Sequence, residues 1–399
     1  VLLANLEQID EAALQQLCTD KCPESGSLDF KREPPGNSDK EKNELLKDVC
    51  ALANADGGDL VYGIAEADGA AGSIVPITGE SADAAKRRIA QVLDAGLDPR
   101  VHGIKAHHVD VTGGYVLIIR VPGSYDGPHS LRVNGNLRRF VMRNGTSTSD
   151  LTFDQIRAAF DRSSTLAERA QAFIKRRLDG LVQNEGSKPL KSGPRAVVHL
   201  VPIAGLAGRH SLNLRTLTPL QMGRFMGGDW GISSSGFNLD GLVFHPGRGA
   251  DPEFYCYAQL FRTAAFEAAT LAGGEVPTAP GKSAQVVWAT DLVKFFRQNV
   301  DSYLTSAAEW SLSGPVVASF SLLHVDGYSL GTDQFYRTSV LPKADRKHLV
   351  LPNAWIEDIA VAALDDVLRP QMDVMWQAFG MERCHEFDAK TGEYQPARR

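Results

Sequence analysis

The chain has 399 residues, 43% hydrophobic and 23% charged, with a formal net charge of −6. That composition predicts two or three globular domains, and it excludes wholesale disorder and a globally basic nucleic-acid binder, so any such contact must come from a local patch. Five cysteines argue for a reducing compartment, and the lack of a long apolar run and of a basic-then-apolar start predicts a cytoplasmic protein with no membrane span and no signal peptide.

In chain order, Ile9–Cys18 reads as a short helix capped by Asp10. SLDF, Ser27 to Lys31, is a strand. Ser38 or Asp39 caps a helix running to about Ala53, with Leu45, Leu46, Val49 and Leu52 at helical spacing. Gly57-Gly58 makes a turn into a buried strand, Asp59–Ile64. Ser81–Leu97 is a second amphipathic helix. Ile104–Val111 and Tyr115–Val121 form a hairpin about Thr112-Gly113-Gly114. Arg138–Arg143 is a further strand, and Thr152 opens a long helix to about Arg177. Mixed helices and hairpins define an α+β fold. The polar stretch Gln183–Pro194 reads as a linker. Beyond it, the strand Ala196–Ile203, the strand Ala284–Trp288, the helix Asp291–Leu304, the strand Val316–Leu323 and the helix Trp355–Leu368 form a second α/β or α+β domain. The expected division is 1–180, a linker at 181–194, 195–380, and a loose polar tail at 381–399.

The densest chemistry is Glu24-Ser25-Gly26-Ser27-Leu28-Asp29-Phe30-Lys31. Alternation on a strand puts Asp29 and Lys31 on one face and Leu28 and Phe30 on the other. The Ser25-Gly26-Ser27 bend can return Glu24 to Asp29. Glu66 follows the DLVYGI strand. Clustered carboxylates need a cation, so this set could hold a divalent metal. From the residue types alone, surface acids at strand ends are the better explanation.

Resemblance adds to this. ESGSLDFK, then KNELLKDVCALANADGGDLVYGI, then RFVMRNGTSTSDLTFDQI resembles the Schlafen-type AlbA-like family over about 140 residues. Four separated motifs agree in order. The resemblance implies action on nucleic acid, and in its nuclease form a metal-dependent endoribonuclease cutting tRNA or rRNA, in prokaryotic stress response or phage defence. It implies Glu24, Asp29 and Glu66 as ligands of Mg²⁺ or Mn²⁺, with Lys31 beside the scissile phosphate. Two departures stand out: Asp29 replaces a frequent Glu, and Ile64-Ala65-Glu66 carries a Glu at the third acid, whose register can slip to Asp68. Arg138, Arg139 and Arg143, with Asn144 and Thr146 beside them, are the expected nucleic-acid contacts. The alternative is a non-catalytic DNA- or RNA-binding regulator with a C-terminal sensor, and a third reading makes the first domain a scaffold.

Other signals are weaker. No G-x-x-x-x-G-K-(S/T) occurs, and Gly57-Gly58 precedes a strand, so no ATP site is expected. Cys18-Thr19-Asp20-Lys21-Cys22 has no second pair to complete a zinc site. Ser233-Ser234-Ser235-Gly236 lacks the context of a serine hydrolase. Lys86-Arg87-Arg88 and Lys175-Arg176-Arg177 read as solvated helix faces. Trp230, Phe244, Phe254, Tyr255, Tyr257 and Phe261 read as core. A groove for a tRNA-sized substrate needs two lobes, which predicts a homodimer.

Overall fold

Helix α2 (Asp39–Ala53) begins where the sequence predicts, with Ser38 and Glu41 forming a reciprocal capping box. It is the crossover between two parallel strands, β1 (Leu28–Lys31) and β2 (Gly57–Tyr62), with Asp29 beside Leu60. A parallel pair needs such a connection, because a tight turn can only reverse the chain. The computed structural model describes residues 6–395 apart from 126, 134–136, 209–210, 218–232, 248–251, 311, 313–314, 332–341, 358 and 360–362. Contacts divide the chain into two units, Val1–Thr165 and Leu166–Arg399, and the helix Phe153–Val182 crosses that boundary. The architecture is α+β with several mixed sheets, as expected.

In the first unit, α1 (Glu11–Thr19) is capped by Asp10, which accepts the Ala13 N–H. After β2 come the hairpin β3 (Ile64–Ala67) and β4 (Ala70–Ile74), then α3 (Ala82–Gly96) and β5 (Leu97–Asp98). The long hairpin β6 (Lys105–Val111) and β7 (Gly114–Pro122) completes a four-stranded sheet of order β1-β2-β7-β6. Leu45, Val49 and Leu52 of α2, with Ile89 and Leu93 of α3, pack on Leu60, Leu117 and Ile119. Leu14 and Cys18 of α1 cover the other face at Phe30, Val61 and Ile118. Near-continuous burial of Gly57–Tyr62 follows from this two-sided cover.

One expected strand is two. Arg138–Arg143 splits at Phe140 into β9 (Leu137–Arg139), paired with β8 (Ser130–Val133), and β10 (Val141–Asn144), paired with β11 (Ser147–Asp150). Each half closes its own hairpin, which a single apolar-polar alternation does not reveal. The helix α4 (Phe153–Val182) opens with reciprocal bonds between Thr152 and Gln155 and runs five residues past the expected end at Arg177.

In the second unit the main sheet has the order β13-β14-β15-β16-β12-β19-β21. These are β12 (Arg195–Pro202), β13 (Ser234–Phe237), β14 (Gly241–His245), β15 (Cys256–Phe261), β16 (Phe266–Leu271), β19 (Val316–Leu323) and β21 (His348–Val350), and β22 (Ala354–Ile356) also pairs with β19. A smaller sheet joins β17 (Gly273–Ala279), β18 (Lys282–Trp288) and β20 (Ser329–Gly331). After the short α5 (Ile203–Leu206), the helices α6 (Ala289–Glu309) and α7 (Leu364–Gln377) share a core with Val198, Leu260, Phe266 and Phe320.

Two expectations fail here. Trp355 lies on β22 opposite Val317, and helix α7 starts only at Leu364. Trp355 is exposed and Ile356 buried, the alternation of an edge strand. The segment expected as a loose tail is anchored, because Cys384 and Phe387 are in the core and Asp373 accepts the Cys384 N–H. Its apolar residues are too sparse to show a period. Phe244, Tyr257 and Phe261 are core, as expected, while Tyr255 is exposed. Trp230 lies outside the described residues.

Candidate functional site

The bend Ser25–Ser27 does what the sequence asked of it. Ser25 and Leu28 bridge back to back, and Glu24 folds over so that its Oε1 accepts the Phe30 N–H at 2.8 Å. This sets the Glu24 carboxyl in hydrogen-bond contact with Asp29. The close approach of β2 explains Gly58: a Cβ there would lie 2.6 Å from the Ser27 carbonyl oxygen.

Lys31 Nζ meets Asp29 Oδ2 at 2.8 Å. The same oxygen takes Nη1 of Arg143 at 3.5 Å, and Nη2 of Arg143 reaches the Ser25 carbonyl at 3.4 Å. Arg143 is buried, and its Nε has no partner. A residue absent from the sequence reading completes the cluster: Asp48, buried on α2, lies 3.8 Å from Lys31 Nζ. It sits between Leu45 and Leu52 in an otherwise apolar stripe, and a lone acid at such a position was the signal available.

Arg143 arrives from β10 because of Asn54, the Asn of the ALANADGG motif. Its Nδ2 donates to the Val141 and His129 carbonyls at 2.8 Å each, and its Oδ1 accepts the His129 N–H at 2.7 Å. Val141 and Arg143 are two apart on one strand and share its buried face. The β10–β11 turn then falls beside the bend. Gly145 takes the left-handed φ of 59°, and its carbonyl would lie 3.5 Å from a Cβ on Gly26.

Electrostatics separates the two touching carboxyls. Burial, then the hydrogen bond that its acid form gives to Asp29, pushes Glu24 up. Burial acts the same way on Asp29, but Lys31, Glu24 and Arg143 outweigh it and hold that carboxyl down. Burial disfavours the Lys31 ammonium, yet Asp29 and Asp48 keep its pKa above the usual lysine value. Burial raises Asp48. Two neighbouring carboxyls pushed in opposite directions are the pattern found in acid–base pairs.

The remaining expected residues make no bond to this cluster, although the charge of Glu66 helps to raise Glu24. Glu66 is exposed, and its Oε1 accepts the Gly69 N–H of its own turn at 3.1 Å. That turn does adjoin the site, since Glu24 N donates to the Gly69 carbonyl. Among the described residues no three His, Cys, Asp or Glu side chains form a group that could hold a metal ion. Arg138 pairs with Asp98 at 2.7 Å, and Arg139 makes two bonds to Asp150 at 3.0 Å. Asn144 and Thr146 are exposed on the β10–β11 hairpin, and the Asn144 carbonyl accepts from Ser147 Oγ. Of the basic motif, the structure brings Arg143 to the acids. Among the described residues no helix is long and apolar enough to cross a membrane.

Residues 24–152 match the family model described as Schlafen, AlbA_2. This region of the chain is therefore a Schlafen AlbA_2 domain, and the sequence resemblance is borne out. No curated protein matches the chain. Similar solved structures include a protein from Corynebacterium diphtheriae, at 24% identity and a TM-score of 0.23, covering 32% of this chain and 22% of that one. Another is the N-terminal domain of a Nitrosomonas europaea protein described as related to the ATP-dependent DNA helicase RecG. There the identity is 18% and the TM-score 0.27, covering 36% of this chain and 93% of that one. The chain thus spans under a quarter of the first of these proteins.

Proposed function

We propose that the first unit acts on nucleic acid and is an endoribonuclease for tRNA- or rRNA-class substrates. What supports this is the contact of Glu24, Asp29 and Lys31 at the end of β1 within the Schlafen AlbA_2 region. Glu24, whose carboxyl is pushed up, is the better suited of the pair to hand on a proton, and Asp29, held down, the less suited. Lys31 offers positive charge to the phosphate.

A metal-dependent form of the reaction would use Mg²⁺ or Mn²⁺ on Glu24, Asp29 and Glu66. As placed, these residues do not fit such a centre: Glu66 is turned to its own backbone, and Asp29 Oδ2 already carries two cations. The roles of Glu24, Asp29 and Lys31 therefore involve no metal. That misfit favours, as the second reading, a DNA- or RNA-binding regulator that does not cut.

The test mixes the protein with total tRNA, rRNA, single-stranded DNA and duplex DNA, in Mn²⁺, Mg²⁺ or EDTA, beside a Glu24→Ala/Asp29→Ala double variant. RNA cleavage lost in the variant is the expected result. Salt-sensitive retention without cleavage moves the assignment to the regulator, and neither would sink both. A homodimer pairing two such units belongs to the same proposal, and light scattering that finds a monomer at working concentration rejects it.

A further inference from the structure

The cluster at β1 holds three carboxylates, Glu24, Asp29 and Asp48, and two cations, Lys31 and Arg143. The cations are fixed by the fold. Lys31 leaves β1 between Asp29 at 2.8 Å and Asp48 at 3.8 Å, while Arg143 is pinned through Asn54 and the β10 backbone. A divalent ion on Asp29 would sit beside both cations as a like charge, on a carboxylate whose Oδ2 they already occupy.

The donors, by contrast, are under-used. Arg143 has five N–H groups, makes two bonds of 3.4 and 3.5 Å, and keeps a buried Nε with no partner. Charge-assisted bonds from guanidinium to oxyanion are ordinarily about 2.8 Å. Lys31 is about a third exposed, at 35% of its side chain. Gly26, in the bend beside the cluster, is exposed.

We propose that this cluster is an oxyanion site completed by protein cations and not a divalent-metal centre. Its ligand is a phosphate group, met by the Lys31 ammonium with the Arg143 guanidinium behind it. Asp48 is the positioning residue that holds Lys31 toward the opening. The phosphate being that of RNA rests on the function proposed above, whereas the chemistry of the site does not.

The experiment uses the full chain and three probes: Mn²⁺ alone, followed by electron paramagnetic resonance; a labelled single-stranded RNA, followed by fluorescence anisotropy; and pyrophosphate, followed by the thermal unfolding midpoint. The expected result is RNA retention within about twofold in EDTA and in Mn²⁺, a midpoint raised by pyrophosphate, and loss of both effects by tenfold or more in Lys31→Met. That variant leaves Asp29 paired with Arg143, so its own midpoint without ligand checks that it folds. Asp48→Asn should weaken both effects less and Asp48→Glu should restore them, which a merely structural role would not produce.

Stoichiometric Mn²⁺ binding lost in Asp29→Asn, or retention that needs Mn²⁺ and is lost in Glu66→Gln, overturns the proposal in favour of a metal centre. No RNA retention with the pyrophosphate response intact sinks the nucleic-acid function but keeps the oxyanion site. Loss of the pyrophosphate response in the unmodified protein, with or without RNA retention, overturns the oxyanion site.

Discussion

Glu267 and Asp29 are both buried carboxylates paired with arginine, and the two are finished differently. Glu267 on β16 is fully enclosed. It receives Arg177 at 2.8 and 2.7 Å, His199 Nε2 at 2.9 Å and the Tyr257 hydroxyl at 2.7 Å. Burial would raise this carboxyl, but Arg177 and His199 hold it at about 2. Asp29 has a comparable inventory, yet its arginine contact is long, its lysine is part exposed, and an arginine donor is left over. A saturated cluster has nothing to offer a ligand, so the first is architecture. The second keeps a part-exposed lysine and a guanidinium held by long bonds, and that difference is what marks out the first unit's cluster.

The comparison breaks most easily at Glu267. Its row crosses the sheet, with Gln259, Glu267, His199 and Ser319 in register on four neighbouring strands and all buried. Arg177→Ala leaves a buried carboxylate without its main partner, a change that costs about 3–5 kcal/mol. Denaturant unfolding of the variant, followed by hydrogen exchange in β16 and β12, should show that loss. A loss under about 1 kcal/mol would mean the pair behaves as a surface bridge and the contrast with Asp29 is false.

Acid gives the next largest effect. The folded value of Glu267, about 2, lies below the unfolded value, which is about 4.3. Its contribution is therefore fully present above the unfolded value and is lost as pH falls through the folded one, about 3 kcal/mol in total. Unfolding midpoints should be insensitive to this group from pH 7 to 5 and should fall between 5 and 2. In Glu267→Gln that acid-dependent fall should shrink, and an unchanged slope would remove the group from the account.

Asn54→Ala sharpens the other side. It deletes bonds to His129 and Val141 and leaves buried backbone groups short of partners, at about 2 kcal/mol. Because those bonds carry β10, and with it Arg143, RNA retention should fall alongside stability. Retention that survives intact would show that Arg143 does not depend on Asn54.

Much of the first unit was legible because its rules are local. The capping residues Asp10 and Ser38 and the apolar spacing of α2 each act within a few residues, and each predicted its element, whereas Gly57 and Gly58, expected as a turn before the strand, are its first two residues. The bend that returns Glu24 to Asp29 was equally local. What failed depended on distant partners. Arg177 reads as one of three basic residues on a solvated helix until Glu267, ninety positions on, turns it inward. Asp48 reads as a polar interruption until Lys31 reaches it from β1. Glu66 has the right charge near the right strand. A break in register between Ala65 and Glu66, however, leaves its carboxylate to its own turn.

The smallest effect tests how far the site leans on its helix. Ser38 accepts the Glu41 N–H, and Glu41 in turn accepts the Ser38 N–H. Ser38→Ala removes a helix cap and should cost about 1 kcal/mol. Because α2 carries both Asp48 and Asn54 near its far end, more than two turns from the cap, the loss should appear as faster exchange in the first turn while RNA retention and the pyrophosphate response stay within about twofold. Retention that drops with so small a change would mean that the donors of the open cluster are held by the whole helix. In that case its under-saturation would reflect a loosely held frame, and the contrast with the sealed Glu267 cluster would be one of rigidity before it is one of chemistry.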